Sequence, residues 1–175
     1  MKETTHSTSI GRGTWDYRHV DALVPVFALL LRLTFGFYFL WSGFDKLITE
    51  FTAKGFLLNA TQGPLKDVFV NMGQSQRALD VVDPLVVYGQ ILIGFALLFG
   101  IFTRFTLFMA STQMFLFYIS ALWPENNPFL DEHVFYILIF ALLGALGAGR
   151  MFGLDGVLEK WEPVKRVRLL GYALG

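Results

Sequence analysis

Apolar residues in this chain gather into four long runs, broken by short polar stretches and one longer connection. Residues 23–44 carry a single charge, Arg32; residues 84–103 and 105–124 give 20 positions each, the first uncharged before Arg104 and the second ending ahead of Glu125. Residues 134–149 give 16 more, led in by Asp131, Glu132 and His133. A helix rises about 1.5 Å per residue, so runs of some 20 residues match a hydrocarbon core of about 30 Å. The pattern predicts an all-α integral membrane protein, a four-transmembrane-helix bundle. It predicts three regions: a polar N-terminal segment (1–22), the membrane domain (23–155) and an interfacial tail (156–175).

The connection at 48–83 is too long for an idle loop. Within it Leu65, Val68, Phe69 and Met72 recur at i, i+3, i+4 and i+7 behind Pro64. That spacing predicts a short amphipathic helix lying on the bundle's outer surface. Helices 2 and 3 turn so tightly at Thr103-Arg104 that they must be antiparallel neighbours. Gly144, Gly147 and Gly149 give the fourth helix a small-residue surface for close contact.

Charge sets the orientation. With the N-terminus inside, the inner side holds Lys2, Arg12, Arg18, Arg104, Arg150, Lys160, Lys165, Arg166 and Arg168, against Lys46, Lys54, Lys66 and Arg77 outside. This excess predicts a multi-pass protein of the cell (plasma) membrane with both termini cytoplasmic. Trp15 and Trp161 then lie near the inner interface, Trp41 and Trp123 near the outer one, as an aromatic belt. The basic and apolar tail suits anionic lipid headgroups. Asn59-Ala60-Thr61 is a glycosylation triplet on the outer side.

Composition agrees and excludes. The chain is 54% hydrophobic and only 16% charged, with a mean hydropathy of +0.52. A soluble domain carries nearer a quarter charged residues. There is no cysteine, so disulfides, iron–sulfur clusters and thiolate metal sites are excluded. Of three histidines, His6 and His19 lie in the N-terminal segment, which leaves no bis-histidine haem in the bundle. No metal ligand set is evident, and nothing points to nucleic acid.

The candidate chemistry begins on one stripe of helix 1. Arg32, Gly36, Phe39, Gly43 and Lys46 are spaced 4, 3, 4 and 3 residues apart and share a face. Glycines there allow a second backbone to approach, and an ionisable residue in a span is a functional candidate by default. Arg32 lies about 13 Å from the inner end of its span by helical rise, and the other spans contain no carboxylate to neutralise it. Gln113 reaches similar depth. Either backbone carbonyls and Gln113 hold Arg32 as a structural cation, or its charge meets a ligand such as a quinone carbonyl or an anion. Nearer the outer rim, Lys46, Gln90, His133 and Tyr136 converge if helices 1, 2 and 4 pack together, a set able to bind an anion and pass protons. The alternative is ordinary rim pairing of Lys46 and His133 with Asp45, Asp131 and Glu132.

The stripe R-x3-G-x2-F-x3-G-x2-K resembles the first helix of the DoxX superfamily, small four-helix membrane proteins. Asn127-Pro128-Phe129 with His133, and Gly147-Ala148-Gly149-Arg150-x-x-Gly153-Leu154-Asp155, resemble its DoxD branch, which includes the larger subunit of thiosulfate:quinone oxidoreductase. The matched positions are Arg32, Gly36, Gly43, Lys46, Asn127, His133, Arg150 and Asp155. The resemblance implies oxidation of thiosulfate, or a related small sulfur anion, with membrane quinone as electron acceptor. Arg32, Lys46 and His133 are then the catalytic candidates. Lys46, Gln90, His133 and Tyr136 bind the anion, and Arg32 and Gln113 the quinone. It also implies a smaller partner subunit of the DoxA type and leaves homo- or hetero-oligomers open. A second expectation, from superfamily members without catalysis, is a membrane subunit that anchors or stabilises another complex.

Overall fold

A computed structural model describes residues 3–10, 13–20, 23–124, 127, 129–162, 164 and 168–175. Lys2, Arg12, Lys165 and Arg166 of the charge count, and Pro128 of the second motif, lie outside them. The elements are β1 (Glu3–Ile10), β2 (Gly13–Val20), α1 (Leu23–Ile48), α2 (Lys54–Asn59), α3 (Lys66–Gln74), α4 (Gln76–Phe99), α5 (Thr103–Ser120), α6 (Glu132–Leu146), α7 (Asp155–Leu158) and α8 (Arg168–Ala173).

The N-terminal segment is not featureless. β1 and β2 pair antiparallel with Glu3 opposite Val20 and Ile10 opposite Gly13. Its polar run is rich in Thr, a β-branched residue suited to a pleated surface; Trp15 and Tyr17 alternate with Asp16 and Arg18 in β2, but β1 offers no apolar face to match. Hydrophobic period therefore did not mark it, and the all-α expectation holds only from residue 23 onward.

α1, α4, α5 and α6 pack in a ring: α1 on α4 and α6, α5 on α4 and α6. Phe39, Leu97, Ala110, Phe140 and Leu143 fill the core, while Phe37, Leu92 and Leu138 remain 62%, 68% and 61% exposed. A soluble bundle hides its large apolar side chains; this one turns them outward, as a lipid-facing surface requires. α1 and α4, with 26 and 24 residues, are long and apolar enough to cross a membrane, and α6 is a shorter apolar helix of 15.

The stripe of α1 is a packing face. A Cβ at Gly36 would meet Leu98 N at 2.9 Å, and one at Gly43 would meet Ile91 N at 2.8 Å, both on α4. From the other side, a Cβ at Gly94 would meet Leu40 N at 2.5 Å. Small residues on both helices bring the backbones together, giving close van der Waals contact without any hydrophobic drive.

Two helices differ in extent from the apolar pattern. α4 starts two turns before Pro84, at Gln76, capped by the Ser75 hydroxyl. Arg77, Asp80 and Asp83 are thus helical, and Asp83 accepts from the Ala53 backbone at the start of α2, 2.8 Å away. Ala53, Leu57 and Leu79 form a second small core there. α3 is the predicted amphipathic helix, whereas α2 carries no period long enough to announce it. The Gln62 amide donates to Ser120 O at 3.1 Å, fastening this α2–α3 cap to the end of α5.

Candidate functional site

The first cation of the stripe is buried, with both terminal nitrogens hydrogen-bonded and Nε without a hydrogen bond among the described residues. Arg32 is 1% exposed; its Nη1 donates to Ala148 O (2.7 Å) and Met151 O (3.2 Å), and its Nη2 to Phe152 O (3.1 Å). These carbonyls belong to the turn that follows α6, where Gly147 adopts φ +66° and ends the helix in the left-handed region that glycine tolerates. Asp155, 0% exposed, completes the knot. Its Oδ1 accepts from Phe102 N (2.7 Å), and its Oδ2 from Thr103 N (2.8 Å) and Gly175 N (3.0 Å). α5 has no cap of its own, since Phe102 precedes it in the left-handed region. Asp155 supplies that cap from 52 residues away. A Cβ at Gly149 would collide with Asp155 Oδ2 and Thr103 Oγ1, and one at Gly153 with Gly149 O. The Gly147–Asp155 motif therefore closes this end of the bundle around Arg32.

Two expectations change accordingly. Arg32 is not at mid-depth among helix middles; it lies against Gly100, the end of α4, and the turn beyond α6. A carboxylate does bear on it: Asp155 attracts the guanidinium although its oxygens are spent on amides. Gln113 takes no part; among the described residues, Arg32 donates to backbone carbonyls. Arg150, from the same motif, forms an exposed fork with Glu159 at 2.9 and 3.0 Å, an arrangement that contributes little stability.

The second cation opens onto space. Where α4 and α5 part, a groove of about 930 Å³ runs from Phe102 and Phe105 at the Arg32 end to α2 and α3 at the other. Its walls are almost entirely apolar, among them Leu92, Ile93, Ala96, Met109 and Leu116. Polar groups are few, and Lys46, His133, Gln113 and Ser120 are among them. Lys46 Nζ donates to Ser42 Oγ (2.8 Å) and lies 5.5 Å from the Phe51 ring centroid. Gln113 Oε1 is buried with no hydrogen bond among the described residues. His133 Nδ1 is 2.7 Å from Asp131 Oδ2, and its ring meets Phe117 edge-on at 6.2 Å. Asp131, Glu132 and His133 bring their ligand atoms within 4.8 Å of one another, a consequence of three successive positions at a helix start.

The structure thus unites Lys46, Gln113 and His133, and separates them from Arg32, which is about 21 Å along α1 from Lys46 by helical rise. Gln90 and Tyr136 do not line the groove. Gln90 is 3% exposed within the bundle, and Tyr136 packs on Phe35 (5.3 Å) and Tyr38 (6.1 Å) on the α1–α6 side. Helix phase explains the split: Gln90 lies one residue beyond groove-lining Gly89, about 100° around α4. Ser120 and the groove's aliphatic walls went unmarked because nothing in their spacing differs from lipid-facing filler.

A helical body with an apolar exterior and an apolar groove ending in a few polar groups is that of a membrane protein able to seat an elongated apolar molecule with a polar head. The family comparison agrees. The DoxX family model matches residues 27–123, and the chain belongs to that family. No curated protein and no solved structure matches it.

Proposed function

We propose that this chain is the membrane subunit of a sulfur-anion:quinone oxidoreductase of the DoxD type, with thiosulfate as donor and the α4–α5 groove as the seat of the quinone. The groove carries the reading. It is long, apolar and open toward lipid along α4 and α5, as an isoprenoid tail needs, and its polar groups gather where a quinone ring would stop. Gln113 offers an amide that presents either N or O, and Lys46 and His133 add donors for a ring carbonyl. Two thiosulfate dianions couple through their terminal sulfurs, giving tetrathionate and two electrons; the quinone takes both electrons and two protons. Lys46 at the mouth attracts the dianions and reduces their mutual repulsion. Arg32 serves the fold in this reading, while Gln90 and Tyr136 stand outside the site.

Four spanning helices with both termini cytoplasmic complete the proposal. The start of α1, the end of α6 and Gly175 share the Arg32 end, which the Lys/Arg excess assigns to the cytoplasm. Cysteines introduced singly at 54 or 126 are expected to label from outside intact cells, and those at 104 or 160 to stay unlabelled. The reverse pattern overturns the orientation.

The activity test uses protein purified with its native lipids, alone and with a smaller DoxA-type partner. Thiosulfate-dependent quinone reduction is expected, together with co-purifying quinone. Ala96→Trp, placing an indole in the groove, is expected to lose both and keep the parent's melting temperature. Full turnover in that variant would exclude the groove. One observation favours the non-catalytic alternative, a subunit stabilising another complex: the buried cation best suited to a reacting partner is consumed by carbonyls. No turnover with any partner, and no bound quinone, would leave that reading standing.

A further inference from the structure

Asp131 carries out two tasks at once. Its Oδ1 accepts from His133 N (3.0 Å) and Val134 N (3.3 Å), capping α6, and its Oδ2 lies 2.7 Å from His133 Nδ1. The loop before it is braced. Asn127 Oδ1 accepts from Phe129 N and Leu130 N, and Tyr118 Oη donates to Phe129 O at 2.8 Å. The imidazole is therefore gripped by a capping carboxylate on one nitrogen and by the Phe117 edge on its face. With Nδ1 committed, Nε2 is the nitrogen left for the groove that His133 lines. The side chains of His133 and Asp131 are 21% and 16% exposed, so the pair is not sealed within the bundle.

We infer that Asp131 is a positioning residue. It holds His133 in the Nδ1–H form so that Nε2 exchanges protons between outside water and an oxygen of the molecule seated in the groove. The inference rests on the quinone reading above and names the group that handles its protons. The balance is simple. Nε2 takes a proton from water, the imidazolium is stabilised by Asp131, and Nε2–H gives that proton to the ligand oxygen as electrons arrive there from the sulfur donor. No electron passes through the ring, and two such cycles supply the two protons. The charges around the ring are Asp131 and Glu132 on its own helix start and Lys46 from α1 across the groove.

The test begins with a readout other than turnover. In protein labelled with 15N-histidine and carrying His6→Gln and His19→Gln, only His133 reports. Its neutral ring is expected in the Nδ1–H tautomer, and a short-chain benzoquinone is expected to shift the Nε2 resonance alone. Asp131→Asn retains a good helix cap, so its melting temperature should match the parent's, but the amide no longer selects one tautomer. Its turnover number is expected to fall about 100-fold or more with KM for thiosulfate little changed, the scale of a lost acid–base contribution. Asp131→Glu, which restores a carboxylate, should recover part of that loss. An Nε2–H ring in the parent, no Nε2 response to the benzoquinone, or an Asp131→Asn variant with parental tautomer and turnover would each overturn the assignment. If the parent oxidises no thiosulfate yet Nε2 responds to the quinone, the donor reading falls and the Asp131–His133 pair stands.

Discussion

Replacing Arg32 by Gln tests how the two ends of the bundle divide their work. The guanidinium makes three hydrogen bonds to carbonyls of the turn beyond α6: Ala148 O, Met151 O and Phe152 O. Hydrogen bonds from a charged donor contribute about 1.5–3 kcal/mol each. Against them stands the cost of a cation at membrane depth, about 2.5–3.5 kcal/mol on insertion scales. The bonds outweigh that cost by about 2 kcal/mol when each is taken at the lower end of its range. A glutamine keeps one donor group at most within reach, so most of that surplus is lost. For a chain of 175 residues, a loss of this size lowers the melting temperature by roughly 4–8 °C. Tryptophan fluorescence during heating in detergent measures it, with size-exclusion to confirm the starting state. Turnover per folded molecule should stay near the parent's, because Arg32 lies far from the groove's polar end. An Arg32→Gln protein that melts with the parent would refute the structural account. One that melts with the parent and loses turnover would return Arg32 to the chemistry.

Three further outcomes are expected. Asp155→Asn should destabilise by about 2 kcal/mol or more, since one amide NH2 must face backbone N–H donors in a buried site; a melting temperature within error of the parent's would contradict the cap assigned to it. Gly43→Leu should lower the melting temperature well beyond Phe37→Leu, because its side chain meets the α4 backbone at Ile91 whereas Phe37 is exposed; equal melting would show that the stripe is no packing face. Lys46→Gln should raise KM for thiosulfate several-fold with little change in kcat, and the parent's KM should rise with salt as screening weakens the attraction. A parent KM indifferent to ionic strength would exclude a steering role for Lys46.

What the linear pattern determined follows from local physics. Apolar runs, their lengths and the 3.6-residue period are properties of neighbouring residues, so α1, α3 and the membrane character were legible at once. Gly36 and Gly43 were legible as a contact face because glycine in a span has little other use. The ends of helices were less so: Arg77, Asp80 and Asp83 read as a loop, yet α4 begins two turns early, with Asp83 bonded to Ala53 of the α2–α3 cap. The hairpin at the N-terminus alternated only in its second strand, at Trp15 and Tyr17, with a Thr- and Ser-rich first strand that has no apolar face. Which side chains meet was decided by the fold alone. Arg32 and Asp155 are 123 positions apart in sequence, and only the return of the chain after α6 places a carbonyl ring and a carboxylate beneath a cation that otherwise looks unpaired. Gln90 and Gln113 look equivalent as lone amides in apolar runs; the rotation of α4 turns the first into the bundle and the parting of α4 from α5 leaves the second on the groove. A groove is an absence of contact between helices, and no residue type encodes that. Here it lies along the seam between two tight pairs, α1 with α4 through glycines on both helices and α5 with α6.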